Sequence, residues 1–333
     1  MHWIESHWER ITPISALLYP LSLMYGAAAG IRHAASAPVR LPVPVIVVGN
    51  ITVGGTGKTP LVLWLTEFLK SRGYTPGIVS RGYGGRERMP RQVLPESDPL
   101  ACGDEAVLLA RRSGCEVWVG ADRVAAGKAL IASQSTCNVV LSDDGLQHYR
   151  LARDVEICVV DAARGFGNGW LLPAGPLRES LARLAGVDAV IVNGDGSAPH
   201  PSIGGLPGNA TRFAMTLEGR EFRNLLNPGQ AAGAERFRGK RIHAVAGIGN
   251  PQRFFSHLRA LGLDFTAHPL PDHHPIAAAD VAFAGAEAVL MTEKDAVKCR
   301  GFASETQWEL AVDAVPDPAL GEFMLRKLGS SRK

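Results

Sequence analysis

A run rich in β-branched residues, Val43-Pro44-Val45-Ile46-Val47-Val48, leads straight into a glycine-rich segment that ends in Lys58-Thr59. A short run of this kind reads as a strand buried on both faces, the environment of a parallel sheet. Helical apolar spacing follows at Leu61, Leu65, Phe68 and Leu69, with Pro60 in the first turn, where its missing N–H costs nothing. Strand, glycine loop and helix in that order make a phosphate loop. In Thr52-Val53-Gly54-Gly55-Thr56-Gly57-Lys58-Thr59 the glycines let backbone N–H groups approach phosphate oxygens without Cβ interference. Lys58 is placed to reach the terminal phosphates and the Thr59 hydroxyl to meet Mg²⁺, while the helix N-terminus adds its partial positive charge. A chance glycine-rich turn is the rival reading, but it leaves the flanking strand and helix unexplained. One departure stands out: Thr52 occupies the first glycine position of G-x-x-x-x-G-K-[ST]. The motif implies ATP or a close relative, with Mg²⁺, as the cofactors.

Further strand candidates are Pro76–Ser80, Glu116–Gly120, Val139–Asp143, Glu156–Asp161 and Ala189–Asn193, with helical stretches at Glu105–Arg112 and Arg123–Ser133. This alternation predicts an α/β fold: a P-loop NTPase-like, mostly parallel sheet with helices on both faces. A Gly/Pro/Ser-rich stretch from Gly194 to Gly208 reads as a linker. A second, smaller α/β unit follows, with strands Arg241–Ala246, Phe265–Leu270 and Ala288–Thr292 and a helix Gln252–Leu261. Thr211–Leu217 and Glu309–Val312 are candidates for the connection between the two. The 333 residues thus divide into an N-terminal membrane helix (1–36), a P-loop kinase domain (37–200), a linker with a short β connection (201–235) and the smaller C-terminal domain (236–333).

The N-terminal helix rests on Ile11 to Ile31, which contains no charged side chain and is long enough to cross a bilayer. Trp3, Trp8, Tyr19 and Tyr25 suit a segment that meets the headgroup region. Arg32, His33 and Arg40 follow it, whereas Arg10 before it is balanced by Glu5 and Glu9, so the positive-inside bias puts the globular part in the cytoplasm. A signal peptide cleaved after Ala35-Ser36-Ala37 and an apolar helix packed on the domain are the competing readings.

Other clusters carry chemistry. Val139-Val140-Leu141-Ser142-Asp143-Asp144 brings two carboxylates to a strand's carboxyl edge, where they can hold Mg²⁺; a capped turn is the plainer reading. Gly103-Asp104-Glu105 opens a helix, so capping competes evenly with a base and a metal ligand. Asp272-His273-His274 offers a carboxylate–imidazole pair for proton transfer, though a His pair in a loop is more often structural. With His268 nearby zinc is a rival there, at a spacing that matches no common site. Thr292-Glu293-Lys294-Asp295 sits at another strand end. Ser80-Arg81-Gly82-Tyr83-Gly84-Gly85-Arg86-Glu87-Arg88 can hold an anionic group bidentately or be merely a solvated loop.

The net charge of +3 is too small to argue for a nucleic-acid partner, and nothing in the sequence calls for an obligate protein partner. Five cysteines without a C-x-x-C pair rule out a zinc ribbon and fit a reducing compartment.

Taken with Leu172-Pro173-Ala174-Gly175-Pro176-Leu177-Arg178-Glu179 and Asp143-Asp144-Gly145-Leu146-Gln147-His148, these motifs resemble the tetraacyldisaccharide 4′-kinases, membrane-bound enzymes of lipid A biosynthesis. Thr at the first loop position resembles that family's own form of the loop. The resemblance implies ATP-dependent phosphorylation of the 4′-hydroxyl of a lipid disaccharide 1-phosphate at the cytoplasmic face of the inner membrane. It also implies two α/β domains with the site in the cleft between them. The expected site comprises Asp104 and His273 as the catalytic pair and Thr52 to Thr59 with Gln147 on the nucleotide. Thr59, Glu105, Asp143 and Asp144 are expected on Mg²⁺, and Arg81, Tyr83 and Arg86 on the lipid substrate. A membrane-associated P-loop ATPase switch, which hydrolyses ATP without a lipid acceptor, is the alternative; a soluble small-molecule kinase or ligase is a third.

Overall fold

The structure is a computed structural model describing residues 3–85, 89–194, 199–205 and 210–330. A long helix, α1 (Pro13–Ala34), precedes the first strand, β1 (Val45–Gly49), and the phosphate-loop helix α2 (Lys58–Ser71). Then come β2 (Pro76–Ser80), β3 (Arg91–Val93), α3 (Pro99–Cys102), α4 (Asp104–Ser113), β4 (Val117–Val119) and α5 (Arg123–Ser133). β5 (Val139–Asp143), β6 (Val155–Asp161), β7 (Ala189–Asn193) and β8 (Thr211–Glu218) complete this stretch. The smaller unit holds β9 (Phe222–Asn224), β10 (Ala231–Ala232), β11 (Ile242–Ala246), α6 (Pro251–Ala260), β12 (Thr266–Pro269), β13 (Ala288–Thr292), α7 (Glu293–Cys299) and β14 (Gln307–Leu310). The chain ends with β15 (Asp313–Pro316) and α8 (Ala319–Ser330).

Among the described residues nine strands form the large sheet in the order β15-β8-β7-β6-β1-β5-β2-β4-β3, parallel except at its two edges. Every residue of β1, β2, β5 and β6 is buried, because helices cover both faces. Leu61, Leu65 and Leu69 of α2, Val107 of α4 and Met324 of α8 pack on one face with Ile46, Leu141 and Ile157. Val124 and Leu130 of α5 pack on the other with Val47, Val140 and Cys158. The second sheet, β10-β9-β14-β13-β11-β12, is covered by α6 on one face and α7 on the other. All five cysteines are free, and burial pushes the Cys158 and Cys299 thiols up to about 12, so they pack as small hydrophobes.

Sheet membership departs from the boundaries read along the sequence. The stretch 201–235, expected as a linker with a short β connection, contributes β8 to the large sheet and β9 and β10 to the small one. The C-terminal end, expected in the smaller domain, returns to the large sheet: Leu320, Phe323, Met324 and Leu328 of α8 lie in its core. The late strand expected over Glu309–Val312 as a connection overlaps the end of β14, and Ala311-Val312 then cross to β15 in the large sheet. The two crossings run side by side, Ala311 N–H donating to the Glu221 carbonyl at 3.0 Å. Alternation of period two marks a strand but does not say which sheet it joins.

Helix α1 inverts the usual amphipathic arrangement. Thr12 caps it reciprocally with Ser15, and its buried residues are Ser15 and Ser22, while Leu17, Leu21, Leu23, Met24 and Ile31 are exposed. Ser22 donates to the Leu171 carbonyl at 2.8 Å and accepts from the Ala174 N–H at 3.0 Å. A Cβ on Gly26 would meet Leu171 Cδ1 at 2.7 Å, so the glycine allows the close approach. Tyr19 lies against Trp170 and His33 stacks on Tyr149, so the helix lies along the globular body for most of its length. Ser22→Ala strands the buried Ala174 N–H, while the Leu171 carbonyl keeps the Gly175 N–H at 2.9 Å, and should cost about 1–3 kcal/mol in chemical denaturation; an unchanged midpoint would show that water reaches the seam.

Candidate active site

Parallel pairing sets the carboxyl ends of neighbouring strands at one level, with Val48 of β1 beside both Asp143 of β5 and Ile157 of β6. Loops leaving that edge therefore meet, as they do in open parallel sheets generally. Gly54 and Gly57 adopt φ of 98° and 91°, conformations that β-carbons resist, and Gly57 is the N-cap of α2. Among the described residues no protein group accepts from the N–H groups of Gly54 to Lys58. Such a concavity of free N–H groups suits an anion. Thr52 instead sits in a short antiparallel bridge to Leu177, flanked by Val53 N–H on the Pro176 carbonyl (2.9 Å) and Arg178 N–H on the Ile51 carbonyl (2.7 Å). Extended pairing needs no glycine, which accounts for the threonine.

Arg178 organises the floor. Its Nε donates to the Thr52 carbonyl at 3.0 Å, one Nη donates to the Asn50 side chain, and the guanidinium pairs with Asp144 at 3.1 Å. Lys58 lies 3.6 Å from Asp144. Burial alone would raise the Asp144 carboxyl, but Lys58, Arg178 and Arg123 outweigh it and hold it far below the usual carboxylate range. Asp143 behaves oppositely: it is buried, neither carboxylate oxygen has a hydrogen-bond partner among the described residues, and burial with Glu105 and Asp144 nearby pushes its pKa up. Gln147 is spent on bracing, donating to the Asn50 carbonyl at 3.0 Å and to Glu179 at 2.7 Å. Arg123, at the start of α5, donates to the Asp144 carbonyl at 3.3 Å. Burial pulls its pKa down to about 10, with Asp144 opposing and the nearby Arg81 adding to the fall.

Across the cleft, the turn after β12 carries His273 to α4. His273 Nδ1 donates to Asp104 Oδ2 at 3.1 Å although 169 residues separate them in the chain. The contact requires left-handed backbone at a non-glycine residue, φ 57° at His273; Asp144 shares that conformation at 46°. Non-glycine residues tolerate it at a cost that the surroundings must offset, and such residues gather at functional sites. Gly103, at φ 89°, lets α4 start close under the Tyr83 carbonyl, which a Cβ there would meet at 2.5 Å. Two lysines from α7 complete the cluster: Lys294 contacts Glu105 and Asp272 at 3.2 Å and His273 Nε2 at 3.3 Å, and Lys298 lies 3.5 Å from Asp104. Asp295, fully buried, accepts from Gly247 N–H and the Thr292 hydroxyl and holds Lys298 at 3.0 Å.

These neighbours set the protonation of the pair. Burial would raise Asp104, but the His273 hydrogen bond and the two lysines bring it below its ordinary value. The same bond to Asp104 raises His273 against burial and Lys294. The ion pair is therefore lost on the acid side as pH falls through the depressed Asp104 value, and on the alkaline side as pH rises through the raised His273 value. Of the anion-binding candidates, Arg81 and Tyr83 are exposed at the mouth, Tyr83 lying 4.9 Å ring to ring from His273, and Arg86 lies outside the described residues. Among the described residues no three His, Cys, Asp or Glu side chains form a closed metal cage, His268 included.

The family model for tetraacyldisaccharide-1-P 4′-kinase matches residues 14–329 of the chain. The chain belongs to this family. A tetraacyldisaccharide 4′-kinase from Azoarcus sp. is 51% identical over 98% of this chain and 96% of its own length. The one from Dechloromonas aromatica is 50% identical over 98% and 97%. The crystal structure of LpxK from Aquifex aeolicus in complex with ATP superposes with a TM-score of 0.79 at 27% identity, covering 95% of this chain and 99% of that one. Membership in the 4′-kinase family accounts for the phosphate loop, the paired acids and the two α/β units together.

Sequence reasoning left several site residues without a role. Arg178 lay in a motif that carried the resemblance, and Lys294 and Asp295 in one noted at a strand end; Arg123 and Lys298 gave no signal beyond helical spacing. Arg178→Lys keeps the charge but loses the fork, and should lower kcat/KM for ATP about 10–100-fold. His273→Asn can still donate to Asp104 without titrating, so the alkaline limb expected above about pH 6.5 should vanish from its pH–rate profile.

Proposed function

We propose that this chain transfers the γ-phosphate of ATP to the 4′-hydroxyl of a tetraacylated disaccharide 1-phosphate at the cytoplasmic face of the inner membrane. The observation that supports this reading is the Asp104–His273 contact between the two units, in which Asp104 would accept the hydroxyl proton and His273 would orient it. Lys58 and the loop amides hold the β- and γ-phosphates. Phosphoryl transfer passes through a loose transition state, so positioning and charge neutralisation matter more than a strong base. A depressed Asp104 suits that demand because it stays ionised and aimed. The sugar oxygen forms its bond to Pγ as its proton passes to Asp104, and the bond from Pγ to the bridging oxygen breaks, ADP leaving with the electron pair.

The acid cluster fits Mg²⁺. Asp143 presents two buried, unpartnered carboxylate oxygens beside Asp144 and Glu105, an arrangement costly without a cation. Thr59, Asp143, Asp144 and Glu105 would hold the ion, which when bound neutralises charge on the transferring phosphate. Arg81, Tyr83 and Arg86 would meet the anionic headgroup of the lipid. The exposed apolar side of α1, only 11% of whose most apolar 18-residue window is buried, would sit among the acyl chains.

An ATPase switch would need neither Asp104–His273 nor the arginine loop, so transfer of labelled γ-phosphate to a disaccharide lipid rather than to water separates the two readings. Asp104→Ala should depress kcat about 10²–10⁴-fold with nucleotide affinity near normal; unchanged turnover removes Asp104 from the chemistry. Deleting residues 1–35 should release the protein from membranes in a flotation assay, and retention would assign attachment to another surface.

A further inference from the structure

The smaller unit also reaches the phosphate loop, away from the catalytic pair. Arg253 of α6 places Nη1 3.1 Å from Asp161 Oδ2, at the end of β6, and donates from Nη2 to Asn193 Oδ1 at 3.1 Å, at the end of β7. Asp161 and Asn193 are both buried. Each supports the loop. Asn193 Nδ2 donates to the Thr56 carbonyl at 2.9 Å. Asp161 Oδ1 accepts from the N–H groups of Ala163 and Arg164 at 3.0 and 3.1 Å, and Arg164 Nη2 donates to the Val53 carbonyl at 3.2 Å. Both fits are tight, since a Cβ on Gly57 or Gly54 would meet Asn193 Nδ2 or Arg164 Nη1 at 2.5 Å.

A planar trans peptide points its C=O and N–H in opposite directions. Pinning the Val53 and Thr56 carbonyls outward therefore aims the Gly54 and Gly57 N–H groups the other way, where a phosphate would accept from them. One forked guanidinium joins both supports, and a Cβ on Gly249, just before α6, would lie 3.5 Å from the Gly55 nitrogen. We infer that Arg253 is a positioning residue: it ties the unit carrying His273 to the shape of the phosphate loop, so that nucleotide binding and closure over the acceptor favour one another. This inference rests on the phosphate loop binding ATP, as proposed above. By linkage, whatever Arg253 adds to closure must also appear in nucleotide affinity.

The test uses the full-length chain in detergent and isothermal titration with a non-hydrolysable ATP analogue and Mg²⁺, which needs no lipid acceptor. Arg253→Ala should bind the analogue about 10-fold more weakly. Arg253→Lys keeps the charge near Asp161 but cannot bridge both supports, and should fall between it and wild type. In the transfer assay KM for ATP and, by the same reciprocity, KM for the lipid should rise with kcat at saturation little changed, whereas a merely structural defect would lower kcat. Asn193→Asp keeps the Arg253 contact but sets a carboxylate against the Thr56 carbonyl, and should weaken analogue binding even if Arg253→Ala fails to fold. Wild-type affinity in a folded Arg253→Ala, or in Asn193→Asp where Arg253→Ala fails to fold, overturns the inference. Failure of wild type to bind the analogue would instead sink the phosphate-loop reading, and the latch with it.

Discussion

Parallel pairing of β1 with β5 on one side and β6 on the other is the constraint from which the site follows. It levels the carboxyl ends of the strands, so that the phosphate loop, the Asp143-Asp144 pair, Asp161 and Asn193 leave the sheet at one edge. The pairing persists because α2, α4 and α8 on one face and α5 on the other bury every residue of the central strands. Burial on that scale dominates a domain's stability and leaves the polar edge to serve chemistry. The cost appears as electrostatics: three carboxylates crowd that edge, and Lys58, Arg123 and Arg178 are what keep Asp144 charged.

The seam between the two units is rich in ion pairs, beside Val297 of α7, which packs in the core of the larger unit. Arg112 pairs with Glu293, Arg253 with Asp161, and Lys294 and Lys298 with Glu105 and Asp104. Buried ion pairs contribute little net stability compared with apolar packing, but they are exacting about geometry. Such a seam, beside two short crossings, specifies one register between the units. Within it Asp104 and His273 shift in opposite directions, as expected for groups that share a proton-bearing bond.

Much of the fold was legible because its signals are local. β2, β5 and β7 lie where β-branched runs placed them, and α5 begins at the Arg123 that follows its cap Asp122. The membership of β8 and α8 was not legible, since an alternating strand or amphipathic helix carries no label for the sheet it will cover. The short edge strands β3 and β10 carry too few residues to show a period. At the site, the glycine loop announced itself. Gln147, expected on nucleotide, donates its amide to Asn50 and Glu179, contacts that only packing reveals.

By itself the sequence determined that a strand ends in a phosphate-binding loop, that two acids stand at a neighbouring strand end, and that an apolar helix precedes both. Each of these is a property of adjacent residues. Only the tertiary structure decided that Asp104 faces His273, that Arg178 and Arg123 neutralise Asp144, and that Arg253 touches both supports of the loop. These are contacts between residues tens to well over a hundred positions apart, set by which strands pair and how two units meet. The glycine loop needs only its own backbone to be recognised; what it works with depends on the sheet edge that gathers the rest.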